Sequence, residues 1–79
     1  MDPILLSLSN MGGLGALVVR RRRESVGLSQ EALADEAGLH RTSISLLERG
    51  LRMPSILVVQ KLARALGTTM TSLIRQLER

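Results

Sequence analysis

The chain has 79 residues, a formal net charge of +4 at pH 7 and a pI near 11.4, which suits one small domain with an affinity for polyanions. It contains no cysteine, which excludes a disulfide framework, a thiolate metal site and a thiol nucleophile. It also lacks Phe, Tyr and Trp, the stacking platforms with which proteins bind single strands and RNA loops. A chain of this length buries only about 60% of its unfolded surface, so association with a second copy would help to stabilise it.

Residues 1–13 are predicted to form an arm that is separate from the domain at 14–79. The arm ends in the sequence NMGG, which is typical of a flexible connection. Its apolar run is too short and lacks the basic start of a signal peptide, and no transmembrane segment is expected. No basic residue of the arm would attract anionic lipid. We therefore expect a cytoplasmic protein whose arm is either disordered or packed across a dimer.

The rest of the chain is predicted to be all-α, because no stretch alternates apolar and polar side chains. A first helix is predicted over 14–25, with Leu14, Leu17 and Val18 at helical spacing. Gly27 follows as the residue that ends it.

Two short helices come next. Ser29 is predicted to cap the first of them, and Gly38 to end it. The second is predicted over 41–49 and ends at Gly50. Two short helices joined at a glycine have the dimensions of a helix-turn-helix, whose second helix fits a DNA major groove.

Two further helices complete the predicted domain. Ser55 is predicted to cap the fourth helix and Thr69 the fifth. The fourth has an apolar stripe that predicts a core face, formed by Ile56, Val59, Leu62, Ala63 and Leu66. The fifth carries apolar residues on one side, which are Met70, Leu73, Ile74 and Leu77.

A helical projection at 100° per residue separates two faces of the helix at 41–49. With Ile44 set inward, Leu47 and Glu48 fall on the buried side. The outward residues are Thr42, Ser45, Leu46 and Arg49. Arg41 is intermediate, at the first turn.

Four residues of this helix are candidates for reading DNA bases, namely Arg41, Thr42, Ser45 and Leu46. Arg41 can bind guanine O6 and N7 through two hydrogen bonds, and Thr42 and Ser45 can reach a base edge or a phosphate. Leu46 fits either contact with a thymine methyl or plain exposure to solvent. At the start of the preceding helix, Gln30 is placed to take a phosphate oxygen.

The segment 23–55 resembles the Cro and lambda-repressor type of helix-turn-helix regulators, often called the Xre family. The residues that carry the resemblance are 23–24, 27–34 (GLSQEALA), 37–42 (AGLHRT), 44–45, 47–50 (LERG) and 54–55. The resemblance covers about residues 14–75, and it includes the controller proteins of restriction-modification systems. It implies a compact five-helix domain that acts as a homodimer on a near-palindromic operator, often with autoregulation.

The resemblance also implies roles for individual residues. Arg23 and Glu48 correspond to a charged pair between the first helix and the recognition helix, and the projection had already turned Glu48 inward. Arg22 stands where many relatives are apolar, so we expect its stem to cover the core. The complete set predicted to contact phosphate is Gln30, Ser43, Arg49, Arg52 and Ser55.

Charge is distributed around the motif rather than within it. Residues 29–50 carry four carboxylates against two arginines, whereas residues 51–79 are strongly basic. The arginines at 20–23 point in different directions on a helix, so they cannot form one patch. In the last helix Leu73 is expected to be buried, and Ile74 and Leu77 are predicted to form a two-fold dimer contact.

The sequence also bears on other functions. His40 is the one histidine, so no metal site is expected; no cofactor is expected, and scattered carboxylates offer no catalytic pair. The main alternative is an antitoxin that neutralises a partner protein through its arm or last helix and binds DNA secondarily. A third is nonspecific architectural binding of nucleic acid.

Overall fold

A computed structural model describes residues 14–77, with side chains from Ala16 to Gln76. The predicted arm at 1–13 lies outside this range. Within it the chain forms helices and no strands. In chain order they are α1 (Leu14–Ser25), α2 (Gln30–Ala37), α3 (Arg41–Glu48), α4 (Ile56–Ala65) and α5 (Met70–Leu77). The prediction of a five-helix, all-α domain is confirmed. Among the described residues no helix has the length and apolar character needed to cross a membrane.

Polar side chains begin three of the helices, as the sequence predicted. Ser29 Oγ accepts from the Ala32 N–H at 3.0 Å, which starts α2. At the start of α4, Ser55 Oγ accepts from the Val58 N–H at 3.2 Å. At the start of α5, Thr69 Oγ1 accepts from the Ser72 N–H at 3.0 Å. Each cap satisfies a backbone donor that has no partner within its helix.

The turn between α2 and α3 depends on Gly38, which has a φ of 67°. In this left-handed conformation the Leu39 N–H donates to the Ala34 carbonyl at 2.8 Å, and the Gly38 N–H to the Asp35 carbonyl at 3.3 Å. These two bonds close the end of α2 and turn the chain sharply into α3. An L side chain at this position would be strained.

All five helices contribute to the core. Its buried apolar residues are Ala16, Val19, Leu33, Ala34, Ala37, Ile44, Leu47, Val59, Leu62, Ala63, Leu66 and Leu73. The predicted stripe of α4 and the predicted burial of Leu73 are confirmed, except at one position. Ile56 was wrongly placed in the stripe, since it is 58% exposed at the first turn of α4, before that helix enters the core.

The inward face of α1 also differs from the prediction. Ala16 and Val19 are buried, whereas Leu17 is 42% exposed. Val18 is partly buried and packs against both core clusters. Because α1 carries apolar residues on adjacent positions, helical spacing alone did not determine which of them faces the core.

Candidate nucleic-acid interface

α2 and α3 pack together as one unit. Leu33, Ala34 and Ala37 of α2 belong to the same buried cluster as Ile44 and Leu47 of α3. Ala34 is 2% exposed, and its small side chain allows the two helices to approach closely. The second helix of the motif is thereby held against the core by one face only.

The opposite face of α3 is available to a ligand. Arg41, Thr42 and Arg49 are exposed, and Ser45 and Leu46 are half-buried. Arg49 is the residue that ends α3, so the helix stops one residue earlier than the sequence predicted. Thr42 and Arg49 are exposed as the projection predicted, whereas Ser45 and Leu46, which it also placed outward, are only partly exposed.

Gln30 lies beside three of the predicted base-reading residues. A shallow cavity of about 190 Å³ is lined by Gln30, Arg41, Thr42 and Ser45. We call this cavity the recognition groove. It brings an amide, a guanidinium and two hydroxyls together, which are the groups that bind base edges and phosphates in duplex DNA. The first turn of α2 and the outward face of α3 thus form one polar surface.

The other predicted contact residues lie around this groove. Leu46 is not among its lining residues. Ser43 is half-buried on α3. Arg52 and Ser55 are exposed in the segment between α3 and α4. The Ser55 oxygen is already engaged as the cap of α4, which leaves its O–H free to donate. Their roles towards DNA stay predictions.

The predicted partners Arg23 and Glu48 are joined in the structure. Arg23 Nε donates to Glu48 Oε2 at 2.6 Å, and Arg23 Nη2 donates to Oε1 at 2.9 Å. Arg23 Nη1 also donates to the Leu28 carbonyl at 2.8 Å. The Glu48 side chain is 3% exposed, and its hydrogen bond raises the pKa of Arg23 above the usual value despite the opposing effect of burial. The end of α1 is therefore fixed to the end of α3.

A third hydrogen bond on this carboxylate was not predicted from the sequence. Gln30 Nε2 donates to Glu48 Oε1 at 3.2 Å. Gln30 was predicted to bind phosphate, and the structure shows that one of its amide hydrogens has a protein partner. A local reading of sequence does not find such a contact, because the start of α2 and the end of α3 meet only in the folded chain.

The arginines at 20–23 point in different directions and have different partners, as predicted from the sequence. Arg20 forms an exposed ion pair with Glu24 at 2.8 Å. Arg22 is half-buried, and its Nε donates to the Leu66 carbonyl at 3.2 Å, which satisfies a backbone acceptor at the end of α4. Arg21 is exposed. The run is therefore not a single basic patch.

A group of exposed apolar side chains follows α3, and it was not predicted from the sequence. We call it the apolar patch, and its residues are Leu51, Met53, Ile56 and Leu57, each at least 54% exposed. In contrast, Ile74 of the predicted dimer contact is half-buried on α5. The side chain of Leu77, its predicted companion, lies outside the described residues.

Two helices that cross at a glycine turn, with the second presenting a polar face, define a helix-turn-helix protein. The model of the HTH_3 helix-turn-helix family matches residues 19–73, and the chain belongs to this family of DNA-binding transcription regulators. The resemblance to the Xre type found in the sequence is confirmed.

The relatives include regulators and control proteins. An uncharacterised HTH-type transcriptional regulator of Methanothermobacter thermautotrophicus is 42% identical over 50 residues, which cover 63% of this chain and 72% of the relative. Control protein C.BamHI of Bacillus amyloliquefaciens is 45% identical over 53 residues, which cover 67% of this chain and 65% of the relative.

The fold matches a solved structure as well. The crystal structure of the restriction-modification controller protein C.AhdI from Aeromonas hydrophila superposes with a TM-score of 0.72 at 38% identity. The match covers 84% of this chain and 94% of that chain. The protein is thus a helix-turn-helix transcriptional regulator of the controller-protein type.

Proposed function

We propose that the protein binds double-stranded DNA of a preferred sequence as a homodimer and regulates transcription, by repression or by autoregulation of its own gene. The observation that carries the proposal is the recognition groove, where Gln30 meets Arg41, Thr42 and Ser45. An arginine and two short hydroxyl residues on an exposed helix face are suited to base edges in a major groove. We expect this activity in the cytoplasm, without a membrane or a cofactor.

Charge around the groove supports binding to the DNA backbone. Arg49 and Arg52 are exposed after α3, and among the described residues no ion pair involves either of them. Phosphate contacts of this kind position a protein on the duplex, whereas base contacts choose the sequence. Base reading by α3 with phosphate contacts from its flanks is the arrangement that we propose.

The proposed dimer places two copies of α3 in successive major grooves, about 34 Å apart. We propose that Ile74 and Leu77 form its two-fold contact. A half-buried apolar residue on the last helix supports this assignment. The operator would then be a near-palindrome, because a two-fold protein reads the same half-site twice.

A titration tests the proposal. The affinity of the full chain is measured for the DNA directly upstream of its own reading frame and for a scrambled duplex, at several salt concentrations. We expect tighter binding to the upstream DNA and a linear fall of log K with log salt. Equal binding to both duplexes at every salt concentration would contradict sequence-specific recognition and favour architectural binding.

A separate experiment tests the alternative that the protein is an antitoxin. Co-purification of a second protein at one-to-one stoichiometry from the native host would favour it over regulation alone. The relatives compared above are named as transcriptional regulators and control proteins, which supports the first function.

A further inference from the structure

The carboxylate of Glu48 has a partner beyond the ion pair with Arg23. Oε1 accepts from Arg23 Nη2 at 2.9 Å and from Gln30 Nε2 at 3.2 Å. With Oε2 bound to Arg23 Nε at 2.6 Å, three hydrogen bonds converge on a side chain that is 3% exposed. Glu48 therefore touches Gln30, a residue that lines the recognition groove.

The chemistry of a carboxylate dictates which way the Gln30 amide points. An ionised carboxylate only accepts hydrogen bonds, whereas a carboxamide has one end that donates and one end that accepts. The nitrogen of Gln30 must therefore face Glu48. The carbonyl oxygen and the second N–H remain for other partners. A neutral residue at position 48 would not impose this orientation.

The Glu48 carboxylate is itself held by hydrogen bonds. Arg23 holds both oxygens of Glu48, and its remaining nitrogen donates to the Leu28 carbonyl at 2.8 Å. Gln30 is thus tied to α1 and to the end of α3 at once. A long side chain that is ordered before binding avoids the loss of rotamer freedom on binding, which is worth up to about tenfold in affinity.

We infer that Glu48 is a positioning residue for DNA recognition, because it orders the Gln30 carboxamide and sets which of its groups face the DNA beside Arg41. The inference rests on the proposed function, because it assigns a role in DNA recognition to a residue that does not itself contact DNA. Glu48 acts through Gln30 alone. The fixed orientation of the Gln30 amide then favours a base or phosphate whose hydrogen-bonding groups match it.

A double-mutant cycle tests this action. The affinity for the upstream duplex is measured at low temperature for the wild type, Gln30→Ala, Glu48→Gln and the double variant. Each affinity is corrected for the folded fraction that circular dichroism gives under the same conditions, because Glu48→Gln also weakens the buried pair with Arg23. Glu48→Gln keeps the shape and removes the negative charge. Loss of an acid should by itself strengthen attraction to DNA. We nevertheless expect it to weaken binding three- to tenfold when Gln30 is present, and not to weaken it further in the Gln30→Ala background.

A matched control separates this effect from general electrostatics. Glu24→Gln removes the same charge by the same chemical change, but Glu24 is 56% exposed and pairs with Arg20. We expect it to leave the affinity unchanged or slightly increased, equally in both backgrounds. A loss from Glu48→Gln that is equally large with and without Gln30 would overturn the inference and leave the proposed function standing.

A second measurement needs no DNA. In the free protein, the side-chain NH₂ resonances of Gln30 are followed by nuclear magnetic resonance in the wild type and in Glu48→Gln. We expect the NH₂ protons of Gln30 to exchange slowly with water in the wild type, with one of them shifted by its hydrogen bond to Glu48, and to exchange faster in the folded variant, at the shifts of an exposed glutamine. Identical resonances in both would overturn the inference. If they differ but the wild type does not distinguish upstream from scrambled DNA, the proposed function fails, and the role of Glu48 in recognition fails with it.

Discussion

Arg23 on α1 and Glu48 at the end of α3 are joined by hydrogen bonds of 2.6 and 2.9 Å, with the carboxylate 3% exposed. Such a pair is weak evidence for stability in itself, because both charges have lost their hydration. The pair affects the free energy of unfolding most when one partner is removed. The remaining charge is then buried without compensation.

We expect Arg23→Ala to lower the free energy of unfolding by about 3–5 kcal/mol, because it strands the Glu48 carboxylate. A core of this size supplies roughly that amount in total, so the variant should be mostly unfolded near room temperature. Urea unfolding followed by circular dichroism measures the change. The control is Arg20→Ala, which breaks an ion pair whose side chains are 59% and 56% exposed. It should cost less than about 0.5 kcal/mol, and comparable losses in the two variants would contradict this account.

The helix caps and the fold class could be predicted from sequence because they depend on residues close together in the chain. Ser29, Ser55 and Thr69 each bond to a backbone N–H three residues later. The exposure of Leu17 and Ile56 could not be read in the same way. Which side of an apolar helix faces inward depends on where the neighbouring helices lie.

In the candidate site, too, features set by nearby residues were predictable from the sequence, and features set by helix packing were not. The outward face of α3 followed from a helical projection, since that face is set by spacing around the inward Ile44. The Gln30–Glu48 bond did not, because its residues are eighteen positions apart and meet only when α2 packs on α3. The apolar patch was also missed. Leu51 and Met53 lie in the segment between α3 and α4, which has no periodic pattern, and Ile56 and Leu57 lie in the first turn of α4, whose exposure depends on where the neighbouring helices end.

Arg41→Ala should weaken binding to the preferred site by roughly 1–3 kcal/mol and relax the choice of base at one position. Arg41 is exposed at the first turn of α3 and lines the recognition groove, where a guanidinium can bind guanine through two bonds. Binding to a set of duplexes that differ at single positions measures both effects. Unchanged base preference would show that another residue reads the sequence.

Arg52→Ala should act differently, because its guanidinium is predicted to contact phosphate. We expect weaker binding to all duplexes alike and a decrease of about one in the salt slope. Arg75→Ala is the matched control, since it removes the same charge from an exposed position on α5, away from the groove. A selective loss on the preferred site after Arg52→Ala would place Arg52 among the base-reading residues instead.

Gly38→Ala tests the turn of the motif. The φ of 67° costs an L residue about 1–2 kcal/mol, whereas the added methyl carbon would meet no atom within 4 Å beyond the adjoining backbone. The loss should therefore come from backbone strain alone, and thermal unfolding should show it. Gly38→Asn, which tolerates this conformation better, should recover part of the stability. Equal stability of the alanine variant and the wild type would mean that the turn relaxes without strain.

Two variants locate the proposed dimer contact. Ile74→Glu places a charge in the predicted two-fold surface on α5, so light scattering should report a monomer mass and DNA binding should weaken. Ile56→Glu is the comparison, because Ile56 is 58% exposed in the apolar patch and outside the predicted contact. It should leave the dimer intact. If Ile56→Glu gives monomers and Ile74→Glu does not, the two copies meet through the apolar patch, and the assignment of Ile74 is wrong. A wild type with monomer mass on a bound operator would contradict the dimer itself.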